Sequence, residues 1–117
     1  MREGGALYWA VALSPDGPAI GSCDFSEIDR HHRRAEVGFL FSRDHWGNGY
    51  ASEAMAAIVA RAFDRLELRR LWARFHTRNE ASRRLLERLG FSHEGTLRAH
   101  VLREGVGRDC AIYGLVR

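Results

Sequence analysis

The chain has 117 residues, 45% of them hydrophobic and 28% charged, which suits one folded domain and excludes both a disordered polypeptide and a pair of ordinary cores. No apolar run approaches the roughly 18 residues that span a bilayer, so no membrane partner is expected. The net charge is +3 and every one of the 18 strongly basic side chains is arginine, but compensating acids throughout, and no aromatic face on a basic sheet, argue against a nucleic-acid partner.

Residues 6–13, ALYWAVAL, read as a strand closed by the turn signal SPDGP. Tyr8 and Trp9 then point to opposite faces, with Trp9 in the core or a dimer contact. Residues 19–28, AIGSCDFSEI, read as the antiparallel partner in a hairpin, and RHHRR as a polar loop. His31 and His32 there lack a further ligand at fixed spacing, so no metal is expected. Residues 35–41, AEVGFLF, form a third strand. Over residues 50–66 the apolar positions Ala51, Ala54, Met55, Ile58, Val59, Ala62, Phe63 and Leu66 recur at helical spacing. Residues 68–76, LRRLWARFH, are strand-like by aromatic content. NEASRRLLERLG follows as a helix, with Asn79 as N-cap and Gly90 as its stop. Residues 95–103 and 109–116 flank EGVGR as a second hairpin. The order βββαβαββ predicts a mixed α/β sheet, antiparallel in the hairpins and parallel where helices separate strands three, four and five.

The opening segment lacks the apolar core and cleavage pattern of a secretory signal. Cys23 and Cys110 match neither metal nor redox spacing and are expected to be reduced, half-buried thiols in a cytoplasmic protein.

HWGNGYASEA, residues 45–54, puts Gly-x-Gly between a strand end and a helix start. Backbone N–H groups there have no helical acceptor, glycine lets a ligand approach the chain, and the helix dipole favours an anion. A plain turn uses the same Gly-x-Gly pattern, and two other phosphate motifs compete with it. The nucleoside-triphosphate loop needs a lysine that this sequence lacks. The dinucleotide fingerprint needs a third glycine where Ser52 stands and an acid at the end of the next strand, whereas Asp64 and Glu67 precede that strand.

WGNGYA resembles the pyrophosphate loop of the GNAT acetyltransferase superfamily, in which Gln or Arg, two residues, Gly, one residue and Gly or Ala recur. Trp46 takes the first position, Gly49 the glycine and Ala51 the last. Tryptophan departs from the general pattern but is similar to the branch that includes the ribosomal-protein alanine N-acetyltransferases, with His45 standing at an aromatic position. NEASRRLLERLGF and HEGTLRAHVLREGVGRDCAIYGLV resemble the same branch's second cofactor segment and its tail.

The resemblance implies a GNAT-like acyl-CoA N-acyltransferase fold over residues 1–117, with acetyl-CoA held where two parallel strands splay apart. Phe39, Leu40 and Phe41 would pair with the pantetheine arm. The loop of Trp46, Gly47, Asn48, Gly49, Tyr50 and Ala51 would hold the pyrophosphate, and Asn79 would reach the arm from the other side. The implied reaction is direct attack by a primary amine, either a protein N-terminus or a small amine. An α-amine is roughly a tenth neutral at pH 7 and a lysine only about 0.04%, so a weak base suits the former better.

Glu36 is the candidate base, against the alternative of a solvated edge glutamate beside Arg33 or Arg34. The tyrosine that many members use to protonate the thiolate is replaced by Leu86, leaving Ser82 as candidate, against an ordinary first-turn serine. Glu53 is expected to favour its helix start, while Asp109 and Tyr113 match branch positions that hairpin packing also explains. Arg83, Arg84 and Arg88 are candidates for the nucleotide's 3′-phosphate or for a solvated helix face. Members ordinarily begin with a strand and two helices that have no counterpart in these residues. An N-terminally truncated fold is therefore expected, with an uncovered sheet edge favouring a homodimer by strand exchange or tail docking. The alternative function is a non-catalytic CoA-binding or scaffold domain.

Overall fold

Six strands, in the order with two helices that the sequence implies, build one sheet in the computed structural model, which describes residues 5–42 and 49–117. His45, Trp46, Gly47 and Asn48 lie outside the described residues. Strands β1 (Gly5–Ala12) and β2 (Ala19–Asp29) form the first hairpin, its turn closed by the Gly17 N–H donating to the Ser14 carbonyl at 3.1 Å. Strand β3 (Arg34–Phe41) runs antiparallel to β2, with Phe41 opposite Gly21 and Glu36 opposite Ser26. Helix α1 (Tyr50–Asp64), strand β4 (Arg70–His76) and helix α2 (Glu80–Arg88) follow. Strands β5 (Ser92–Arg103) and β6 (Val106–Val116) complete the sheet, whose order is β1-β2-β3-β4-β6-β5.

Two expectations are corrected. Strands β4 and β5 do not pair: β6 lies between them, antiparallel to both, so β3–β4 is the one parallel neighbour pair among the described strands. β5 takes the outer place and the returning strand β6 the place beside β4, so the connection through α2 skips one strand position instead of making an adjacent parallel pair. Nor is EGVGR a five-residue loop. Glu104 and Gly105 adopt φ of 54° and 76°, and Arg103 already faces Val106 across the ladder. Two consecutive residues at positive φ make the turn whose twist suits a hairpin, and they extend pairing through Arg108.

Residue alternation sorts the sheet into two faces. Cys23, Phe25, Ala35, Val37, Phe41, Leu71, Ala73, Ala111 and Tyr113 pack against Ala51, Met55, Ile58, Val59 and Ala62 of α1 and Leu85 and Leu86 of α2. Trp9 joins this core edge-on to Phe25, ring centres 5.1 Å apart, while Tyr8 is exposed. Leu86 is fully buried, and its truncation to alanine costs about 2–5 kcal/mol. Both cysteines are buried rather than half-buried, and free. Burial pushes the Cys23 thiol up to about 11, with Asp24 adding to the rise. Glu36, Leu40, Trp72 and Arg74 occupy the alternate positions, on the face away from both helices.

Candidate active site

Strands β3 and β4 pair at three positions only, Arg34 with Arg70, Ala35 with Leu71 and Glu36 with Trp72. Beyond that point β3 continues to Phe41 on its β2 ladder and β4 to His76 on its β6 ladder, with no pairing between them. The gap is the splay implied by the resemblance. Along it Phe39 packs against the core, Phe41 is buried and Leu40 is 74% exposed, so the wall presents backbone together with one solvent-facing side chain.

The head of α1 faces α2 across a cleft. Gly49 takes φ of 82°, where a Cβ would meet nothing within 4 Å. Among the described residues the first α1 bond is from the Glu53 N–H to the Gly49 carbonyl at 3.0 Å, and none of their side chains caps the helix. The amides of Ala51 and Ser52 therefore precede any helical acceptor. A cleft of about 320 Å³ begins here, lined by Gly49, Ala51, Ser52, Ala81, Arg84, Leu85 and Arg88. Arg88 donates to the Ser52 hydroxyl at 3.1 Å, joining the two helices across it. Such a pocket of amides, dipole and guanidinium groups suits a phosphorylated ligand. Tyr50 points elsewhere, into a recess it shares with Val11, Leu13, Ile20 and Glu53.

Helix α2 begins differently. Asn79 caps it, its side-chain oxygen accepting from the Ser82 N–H at 3.0 Å. Ser82 is buried on the core side and is not among the cleft-lining residues. Of the candidate arginines, Arg84 and Arg88 reach the cleft, whereas Arg83 is taken up by Glu80 and Glu87 on its own helix.

Glu36 sits at the mouth of the gap with its side chain only 12% exposed, paired to Arg74 Nε at 3.0 Å. Neither Arg33 nor Arg34 is its partner: Arg34 pairs with Asp29 at 3.5 Å. Burial lifts the Glu36 carboxyl above its usual range, with Arg74 pulling it back and the Glu27 carboxylate adding to the rise. Arg74 also lies 3.5 Å from His100 Nε2 and stands over the Trp72 ring. Sequence reasoning missed Arg74; the signal available was its place at every second residue of β4 with Trp72 and His76. Asp109 and Tyr113 are held by packing, through the Ala99 amide and Glu87 respectively. Among the described residues no cluster of His, Cys, Asp and Glu suits a metal ion.

Residues 1–92 match the family model described as an acetyltransferase (GNAT) domain. The chain is 36% identical over 116 residues to the uncharacterized N-acetyltransferase YoaA of Bacillus subtilis, covering 99% of this chain and 66% of the relative. It is 28% identical to the [ribosomal protein uS5]-alanine N-acetyltransferase of Escherichia coli, covering 97% of this chain and 59% of that one. Among solved structures, a ribosomal-protein-S5-alanine acetyltransferase from Vibrio fischeri superposes with a TM-score of 0.89 at 26% identity, covering 95% of this chain and 61% of that one. The chain thus spans about two thirds or less of the length of these proteins.

Proposed function

The chain belongs to the GNAT acetyltransferase family, and on that premise we propose that it moves an acetyl group from acetyl-CoA to a primary amine, an α-amine of a protein N-terminus or a small amine. The observation that carries this reading is the uncapped head of α1, opening into an arginine-lined cleft shared with α2. The amides of Ala51 and Ser52 hold the diphosphate, with Gly49 keeping the approach clear. Arg84 and Arg88 add charge-assisted bonds to the phosphates. Phe39 and Leu40 offer strand backbone to the pantetheine amides from one side of the gap, and Asn79 approaches from the other. Bound there, acetyl-CoA supplies an activated acyl carbon.

The side chains of this chain then handle protons. Glu36, directly or through one water, takes the proton from the incoming ammonium, and its raised pKa brings it nearer to that of an α-amine. Ser82, buried on the sheet side of α2 and outside the cleft that Arg84 and Arg88 line, is the hydroxyl we assign to hydrogen-bond the departing thiolate. Glu36→Gln is expected to lower kcat by about a hundredfold. In the unsubstituted protein activity rises with pH as Glu36 loses its proton, and this limb lies above the pH where an exposed glutamate ionises, about 4.3. The Gln variant loses that limb and follows only the ionisation of the amine; an unchanged pH profile removes Glu36 from the role.

Release of CoA thiol over a panel of N-terminal peptides and small amines tests the proposal. Turnover of at least one supports it. Saturable acetyl-CoA binding with no turnover of any supports the scaffold alternative instead. A cytoplasmic homodimer belongs to the same reading, and a monomer by light scattering would remove the dimer.

A further inference from the structure

A second cleft, of about 430 Å³, lies between the head of α2 and the tip of the β5–β6 hairpin, lined by His76, Arg78, Asn79, Arg103 and Arg108. It shares no residue with the cleft at the head of α1. Its lining is made almost wholly of donors. Asn79 has already committed its side-chain oxygen to Ser82, which leaves its amide N–H groups. His76 Nδ1 accepts from the Arg78 N–H at 3.1 Å, so the proton of the neutral ring sits on Nε2. Among the described residues no acidic side chain lines it.

Among the described residues four arginines pair with carboxylates: Arg34 with Asp29, Arg70 with Glu94, Arg74 with Glu36, and Arg83 with Glu80 and Glu87. Arg78, Arg103 and Arg108 are not among these four, and all three gather in this one cleft. Arg108 Nε is buried without any hydrogen-bond partner, a state that ordinarily costs stability and that an acceptor oxygen would relieve. Like charges gathered in one cleft repel unless an anion joins them. The cleft also has a definite place in the reaction. His76 ends β4, the strand that borders the gap, and by alternation shares a sheet face with Trp72 and Arg74, the latter bonded to Glu36.

We propose that this cleft receives a carboxylate carried by the acceptor, so that the preferred amines are acidic molecules, such as peptides with acidic side chains close behind the N-terminus, and polyamines are rejected. The assignment rests on the transferase reading for the word acceptor, but the cleft's preference for an acidic peptide is measurable without turnover.

Three peptides alike except for acidic, neutral or basic side chains after the first residue, together with spermidine, are assayed for acetyl transfer. The same peptides, carrying a neutral dye at the far end, are titrated by fluorescence anisotropy with CoA present. The acidic peptide is expected to exceed the neutral one by about tenfold or more in kcat/KM and in affinity, with the gap narrowing as salt is added. Spermidine and the basic peptide come last. The double variant Arg103→Gln, Arg108→Gln brings the acidic-to-neutral ratio close to one, while Arg98→Gln, on β5 outside the cleft, leaves it where it was. A ratio near one in the unsubstituted protein, or a ratio that the double variant does not move, overturns the proposal. If no amine is acetylated the transferase reading fails, and anisotropy alone then decides: tighter acidic binding sustains the cleft and equal binding overturns it. Weaker binding of CoA, but not of dephospho-CoA, in the double variant would give the cleft to the cofactor's 3′-phosphate and overturn it too. So would displacement of the acidic peptide by a short single-stranded RNA.

Discussion

The two helices of this chain start a few residues past strands of the same sheet, yet their first turns have opposite fates. Asn79 closes α2 with its own side chain, so the Ser82 amide is satisfied inside the molecule. Gly49 has no side chain to give, adopts φ of 82°, and leaves the amides of α1 ahead of Glu53 turned to a cleft. A capped start stabilises the fold; an uncapped one keeps its hydrogen-bonding capacity and positive dipole end for something else. Both helices pack on the same face, so burial does not explain the difference. What separates them is one residue at each cap.

Substitutions at the caps and around the cleft can break or sharpen this contrast. The largest effect is expected from Gly49→Val. A β-branched residue is strained at positive φ and pulls the turn away from its open geometry, so acetyl-CoA affinity falls by about a hundredfold, near 2.7 kcal/mol. Calorimetric titration reads it. Next come Arg84→Gln and Arg88→Gln, which each remove a charged donor from the α1 cleft and weaken acetyl-CoA by about tenfold at low salt and less at high salt. Smallest is Asn79→Ala, which opens the α2 cap and costs about 1 kcal/mol of stability, roughly 4 °C in Tm. Asn79→Asp keeps a capping oxygen and restores the Tm. If it also weakens acetyl-CoA as the alanine does, the Asn79 amide contacts the cofactor as well as capping; if neither variant does, its role is confined to the helix.

Much of this was readable because the determining forces are local. Asn79 and Gly90 bound α2 through their own backbone and side-chain preferences, and the eight apolar positions from Ala51 to Leu66 set the buried stripe of α1 by spacing alone. The place of β6 between β4 and β5 was not readable, since it depends on which strand a hairpin offers to a distant edge. The length of the β5–β6 turn was hidden because Glu104 adopts a positive φ that residue type does not announce. Glu36 could be singled out in the sequence, but its partner could not: Arg74 is 38 residues away and reaches it only because β3 and β4 run parallel.

Backbone amide shifts followed by NMR during a CoA titration test the central claim most directly, because they read each helix start separately. The account predicts that the Ala51 and Ser52 amides move most and saturate together, while the Ser82 amide, which keeps its bond to Asn79, moves less. Silent α1 amides beside a shifting Ser82, or no saturable change at either helix, would contradict it.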